Sequence, residues 1–351
     1  FFSIHNICKF KVKLFTFVIM KKLILYTLII ISLFFVFNYL TTFNTKNKSV
    51  INYHRFEELV FSINEKNYQN IINEFEIDHP VFSEFFSNKI LNQKDIYTKN
   101  YKQEIFSFVN HSDMREAYDS VSVFFQDLNQ IKYEIDLAFT NIYKYFPNYS
   151  LPEVYTFFGG FKYGVIFYDD VVGIGLENFL GKNSKFYSLL GEPKYLREYK
   201  NPDYITSNVV EVWCNNYFLK NNQSDFLSKL IYYGKVMFFV KDILPKNKDN
   251  NILRFSKKQM DWLLDNESKI WSFIIENKLL YSQRERDYRS FFYYSPFVKG
   301  MPKEAPARLG YFIGYKIIDS YMKNNRVSIS ELMLENDYSK ILNKSKYKPR
   351  K

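Results

Sequence analysis

The chain has 351 residues, 47% hydrophobic and 24% charged, the proportions of a globular protein rather than of a disordered, collagen-like or multi-spanning membrane chain. Its two cysteines, Cys8 and Cys214, with no CxxC spacing anywhere, exclude a disulfide framework and a four-thiolate zinc site. Lys+Arg exceed Asp+Glu by 48 − 37 = +11. However, Phe, Tyr, Lys and Asn are the residues that AT-rich codons favour, and the nearest basic cluster (Lys344, Lys346, Lys348, Arg350, Lys351) reads as a solvated end, so no nucleic-acid partner is expected.

Met20, Lys21 and Lys22 precede an apolar stretch that begins at Leu23 and closes on Leu40. Residues 23–40 number 18, the lower limit of the roughly 17–25 needed to span a bilayer. The start is therefore placed at Met20, with residues 1–19 a gene-model extension and 20–40 a signal sequence or amino-terminal anchor. Neither an A-x-A pattern nor a cysteine follows. This favours an uncleaved anchor, with Lys21 and Lys22 cytoplasmic and the remainder exported to the periplasmic side; a cleaved signal peptide is the alternative. Residues 41–49 read as a linker and 50–351 as the exported domain.

Helical periodicity runs to about residue 146, best in Leu128, Ile131, Ile135, Phe139, Ile142 and Phe146, which step by three or four and form one apolar face. Pro147 and Pro152 end it. Three short β-type runs follow, at 154–158, 164–168 and 171–174, separated by Gly159-Gly160 and Asp169-Asp170, pairs suited to tight turns. A small antiparallel sheet is expected. Helices return at 205–219, 225–244, 256–279, 307–324 and 328–342. The order helices, small sheet, helices implies a single, mostly helical α+β domain.

Catalytic signatures are sparse. The histidines are His5, His54, His79 and His111; HExxH, GxSxG, the P-loop and GxGxxG are absent, and a lone His has no partner identifiable from sequence. Asp169 and Asp170 are explained by a turn. Glu177 with Asp170 or Glu192 is the one conceivable cation site. Three glycines stand inside helical patterns, where each costs about 1 kcal/mol relative to Ala: Gly234, and Gly310 with Gly314 at i, i+4. Close helix packing accounts for them. Arg308 falls in the first turn of a helix begun by Pro306, where the helix dipole disfavours a cation. An ion pair with Glu304, or an anionic ligand, would offset this.

The strings VGIGLENFLGK (172–182), IYYGK (231–235), WSFIIENKLLYS (271–282), GMPKEAPARLGYFIGYKIIDSYM (300–322) and ILNKSKYKP (341–349) resemble the gliding motility-associated lipoprotein GldB family of Bacteroidetes-type bacteria. Within them Gly173, Phe179, Leu180, Gly181, Tyr233, Gly234, Lys235, Gly310 and Gly314 read as structural motif residues. The resemblance implies an envelope protein that supports gliding, adhesin movement and type IX secretion through protein contacts, with no cofactor and no enzyme activity. It also implies a zincin-like fold without its metal ligands: helix 205–219 carries VEVWC (210–214) where HExxH would stand, and the next helix carries Tyr233-Gly234 where Glu-Gly often stands. Family members close their signal peptide with a lipidated cysteine, which this chain lacks. The expected interaction surface is loop 295–306, with Glu304 and Arg308, plus Asp169, Asp170 and Glu177. The alternatives are a peptidase-like hydrolase in the degenerate cleft and, on net charge alone, a binder of anionic polymers.

Overall fold

Alternating helical and extended periodicities translate into a mostly helical α+β fold around a small sheet, seen in a computed structural model that describes residues 32, 51–219 and 224–349. The chain divides into two units, 1–50 and 51–351. The first, with the anchor expected at residues 23–40, lies outside the described residues apart from Ser32. Among the described residues no helix is long and apolar enough to cross a membrane.

The second unit opens with β1 (Tyr53–Arg55) and helices α1 (Phe56–Phe61), α2 (Tyr68–Ile77), α3 (Pro80–Phe85), α4 (Lys99–Asn110), α5 (Ser112–Phe124) and α6 (Asn129–Tyr145). Strands β2 (Glu153–Phe157), β3 (Val165–Tyr168) and β4 (Val171–Gly175) follow. Then come α7 (Ile205–Phe218), α8 (Phe226–Ile243), α9 (Lys257–Asp265), α10 (Glu267–Glu276), α11 (Leu309–Asn324), α12 (Ile329–Leu334) and α13 (Tyr338–Ser345). Several starts are fixed by side chains. Asp225 with Ser228, Ser256 with Gln259, and Ser328 with Glu331 each form a reciprocal capping box, which satisfies donors the first turn leaves open. The helix expected over 256–279 is two, because Asn266 leaves helical geometry (φ −120°, ψ 14°) between α9 and α10.

The sheet corrects the sequence expectation. It is mixed, not antiparallel, with strand order β1-β2-β4-β3. β1 runs parallel to β2 (Tyr53 opposite Val154) and β2 parallel to β4 (Glu153 opposite Val171), while only β3 and β4 are antiparallel (Tyr168 opposite Val171). Asp169 and Asp170 both take φ > 0, at 46° and 61°, as a two-residue primed hairpin turn requires. The Gly159-Gly160 pair makes no such turn. Its loop is held by Glu177, whose Oε1 accepts from the Gly159 and Phe161 N–H groups at 2.8 and 3.0 Å, and β4 rather than β3 pairs with β2. The short, polar β1 carries no alternating pattern to announce it.

α8 is buried on nearly every face, as befits a helix threaded through a core, and α11 crosses it at its glycines. A Cβ on Gly234 would lie 2.4 Å from the carbonyl carbon and oxygen of Gly314, and one on Gly314 would lie 2.1 Å from the Leu230 oxygen. Main chain lies against main chain, so no rotamer change can make room. Gly310 is closed in by the Phe292 ring at 2.3 Å and the Phe291 oxygen at 2.8 Å. The close packing expected for these three glycines is therefore present. Gly314→Ala gains about 1 kcal/mol of helix propensity but forces backbone displacement at the upper end of overpacking, about 3 kcal/mol. A net loss of about 2 kcal/mol is expected, and unchanged urea unfolding of that variant would contradict the crossing.

Candidate functional site

Where α11 begins, the chain buries charge. Arg308 is the residue before the helix, in the left-handed region at φ 67°. That conformation is sterically disfavoured for any side chain with a Cβ. Its side chain is only 2% exposed and lies flat on Tyr311, 3.9 Å from guanidinium carbon to ring centre. Tyr294 (5.3 Å), Tyr199 (5.7 Å) and Phe255 (5.8 Å) complete an aromatic enclosure. Burial opposes the charge, but the electrostatic pull of Tyr294, Tyr311 and Glu211 prevails and holds the guanidinium protonated. Nη1 donates to the Leu253 carbonyl at 3.4 Å, and Nη2 has no partner among the described residues.

One turn along, the Tyr311 hydroxyl donates to Glu211 Oε1 at 2.8 Å, and Tyr233 stacks on Tyr311 at 4.5 Å. Burial, reinforced by the Glu211 charge, pushes the Tyr311 phenol well up, so it remains a donor. Glu211 Oε2 is ion-paired with Arg254, whose Nη1 donates to Asn208 Oδ1 at 2.6 Å and whose Nε is buried without a hydrogen-bond partner. Arg254 too is left-handed, φ 56°. The centre thus holds two guanidinium groups and one carboxylate, gathered from α7, α11 and the segments before α9 and α11. Sequence reasoning found Arg308 through its misfit with the helix dipole, but Arg254 carried no local signal.

The remaining expected residues disperse. Glu304 is exposed and makes no ion pair with Arg308; ring faces, not a carboxylate, surround that cation. Asp169 and Asp170 are exposed at the β3–β4 turn, where Tyr217 donates to Asp170 Oδ1 at 2.9 Å. Glu177 is fully buried. It meets neither Asp170 nor Glu192, which pairs instead with Lys200 at 3.2 Å. Among the described residues no group of three or more His, Cys, Asp or Glu could hold a metal. Phe179 and Leu180 continue the turn after β4, and Gly181 (φ 83°) reaches a cleft of about 1030 Å³ lined by Leu180, Lys182, Asp203, Asn250, Lys257 and Tyr315 among others. Lys235 is buried and donates to the carbonyls of Met333 (3.1 Å) and Glu335 (2.7 Å), so it caps the end of α12.

A second polar group escaped sequence reasoning. His54 on β1 and His79 before α3 meet edge to face at 4.9 Å, and His54 stacks on Tyr155 at 4.4 Å. The Tyr155 hydroxyl donates to Glu153 at 3.0 Å and lies 3.1 Å from His79 Nδ1. Burial lowers both imidazoles below their usual value, His54 further through repulsion by His79. His54 and His79 lie 25 residues apart in sequence and no spacing rule pairs them.

Burial raises the Glu177 carboxyl to about 7 in the folded state, against the lowering pull of the two N–H groups it accepts and of Lys200. Its contribution is complete below the unfolded value and is lost as pH rises through about 7, because the folded chain binds the extra proton. Across that window the stability of the chain relative to Glu177→Gln should fall, while the imidazole contributions, opposite in sign, cancel in the comparison. A pH-independent difference in unfolding free energy would refute this. Glu211→Gln leaves Arg254 buried without its counter-charge and should cost about 3 kcal/mol in chemical denaturation.

No curated protein and no solved structure matches the chain. A family model, that of gliding motility protein GldB, matches residues 42–349. That span takes in the Gly234–Gly314 crossing, the Glu211–Arg254–Tyr311–Arg308 centre and every strand of the sheet, and the chain belongs to the GldB family of gliding motility proteins.

Proposed function

We propose that the protein is a non-enzymatic component of the gliding machinery in the cell envelope, held at the membrane through residues 23–40 with its main domain on the periplasmic side. It would act by contact with other envelope proteins that move adhesins or serve type IX secretion. Family membership over residues 42–349 carries this reading.

The surface chemistry is compatible with protein contact. The loop after Phe292 exposes Tyr293, Tyr294 and Phe297 at 41, 43 and 57%, with Lys299, Lys303 and Glu304 beside them, the aromatic-with-polar-rim composition of interaction surfaces. We assign the contact to this loop and to the Asp169–Asp170 turn. Buried Arg308 would support the first loop from beneath Tyr294, whereas Glu177 is engaged with the Gly159–Phe161 loop and takes no part in the turn. On the expected zincin-like resemblance Glu211 would occupy the place of the general base, and here both its oxygens are engaged, by Tyr311 and Arg254. A base needs a free lone pair within reach of its proton, so that engagement favours a contact role over a hydrolytic one.

A strain lacking codons 20–351 should lose colony spreading and surface adhesin export, both restored by the intact gene. A gene carrying Tyr293→Ala with Phe297→Ala should yield a folded, normally abundant protein that restores neither. Normal spreading in the deletion strain would remove the gliding role, and full rescue by the double variant would remove the loop.

A further inference from the structure

The centre beneath α11 has one positive charge too many. Arg254 and Glu211 neutralise each other, whereas Arg308 has no carboxylate within ion-pair distance among the described residues, although it is fully buried. A buried guanidinium with an idle N–H edge is disfavoured unless that edge is met. Aromatic faces contribute only through the plane of the group; Nη2 has no hydrogen-bond partner among the described residues. The same spot is the amino-terminal end of the 16-residue helix α11, where the preceding residue supplies no side-chain cap and the helix dipole favours negative charge. Holding Arg308 in the left-handed region keeps its guanidinium over the first turn. Two independent features therefore converge on the same missing group.

We propose that Arg308 is the recognition group of a carboxylate-binding site at the amino-terminal end of α11, reached by displacement of Tyr294. A carboxylate fits on two counts. One negative charge balances the single excess cation, where a phosphate dianion would overshoot it, and a planar carboxylate matches the idle edge of a planar guanidinium. Tyr294 is the movable wall: its ring lies 4.1 Å from Tyr199 over Arg308, yet it is 43% exposed and sits on a loop that turns at Gly300 (φ 83°). The exposed rings of Tyr293 and Phe297 would receive an apolar group attached to the carboxylate. A polypeptide carboxyl terminus and a free carboxylic acid share this chemistry.

The full chain, purified in detergent, is titrated calorimetrically with N-acetylphenylalanine, with its uncharged amide and with inorganic phosphate. Nitration of Tyr294 is followed by mass spectrometry in the same samples. Saturable binding of the acid, at least tenfold weaker for the amide, together with altered nitration of Tyr294 by the acid alone, is the expected result. A hexapeptide ending in Phe that binds tenfold more tightly than N-acetylphenylalanine assigns the site to chain termini, and equal affinity assigns it to small acids. Arg308→Lys, which keeps the charge but loses the fork, should weaken acid binding at least tenfold with an unchanged circular dichroism spectrum. If that variant does not fold, the comparison of acid with amide on the native chain still decides. Equal behaviour of acid and amide would mean that water alone meets the guanidinium edge, and preferential binding of phosphate would mean that the charge count is wrong; either overturns the proposal.

Discussion

The crossing of α8 and α11 at Gly234 and Gly314 brings two helix backbones into direct contact, and much of the carboxy-terminal half is arranged by that approach. A helix pair separated by ordinary side chains keeps its axes about 8–10 Å apart; removing both Cβ atoms at the crossing allows a closer fit. The closer fit carries the first turn of α11 down towards α7, and that is what lets the Tyr311 hydroxyl reach Glu211. Gly310, three residues after the Gly300-Ala307 loop ends, clears the Phe292 ring and the Phe291 carbonyl from the same turn. The helix propensity lost at three glycines is thus linked to the position of the buried charges, which no apolar packing would favour by itself.

Those charges are costly in the interior. Ion pairs removed from water recover their desolvation only with good geometry and full hydrogen bonding. The Glu211 carboxylate meets that condition, with one oxygen on Tyr311 and the other on Arg254. Arg308 does not, and its backbone is strained as well. Strain and an unsatisfied polar atom coincide at Arg308, as they do at its neighbour Arg254, and such a coincidence is what a fold retains where a group is required for something other than stability. An interior Met of similar length would pack against the same rings with the same backbone strain but without the unsatisfied polar group.

Much of this was legible in the residue order. Proline and capping residues bound the helices; the 3.6-residue apolar period located α6; and glycines inside helical patterns pointed to a close crossing, because a residue that weakens a helix must serve another contact. The sheet was less legible. Strand content could be read from Val154, Ile166 and Val172, but strand order could not, since the parallel pairing of β2 with β4 is a tertiary arrangement, accompanied by the Glu177 side chain gripping the N–H groups of Gly159 and Phe161 from eighteen and sixteen residues away. The misfit of Arg308 with a helix start was visible, yet its neighbours come from Tyr199, Phe255 and Tyr294, and their convergence is tertiary. The His54–His79–Tyr155 group is of the same kind: each member is unremarkable in its own segment, and the group exists only because β1 lies beside β2.

The two polar groups also differ in what they can do. His54, His79 and Tyr155 meet where β1 borders β2, with burial lowering both imidazoles and the phenol hydrogen-bonded to Glu153, an arrangement capable of passing a proton; the cavity that His54 lines with Tyr53, Val154 and Thr156 amounts to about 10 Å³, the lower limit for one water. The Arg308 centre is electrostatically incomplete and lies behind an exposed aromatic wall. Proton transfer needs a reacting partner held in place, whereas an unpaired buried cation needs only an anion to arrive. Of the two, the second is therefore suited to recognition, and in a protein whose exposed aromatic loop is the same segment that covers Arg308, binding at the centre and the shape of the outer surface become mechanically one property.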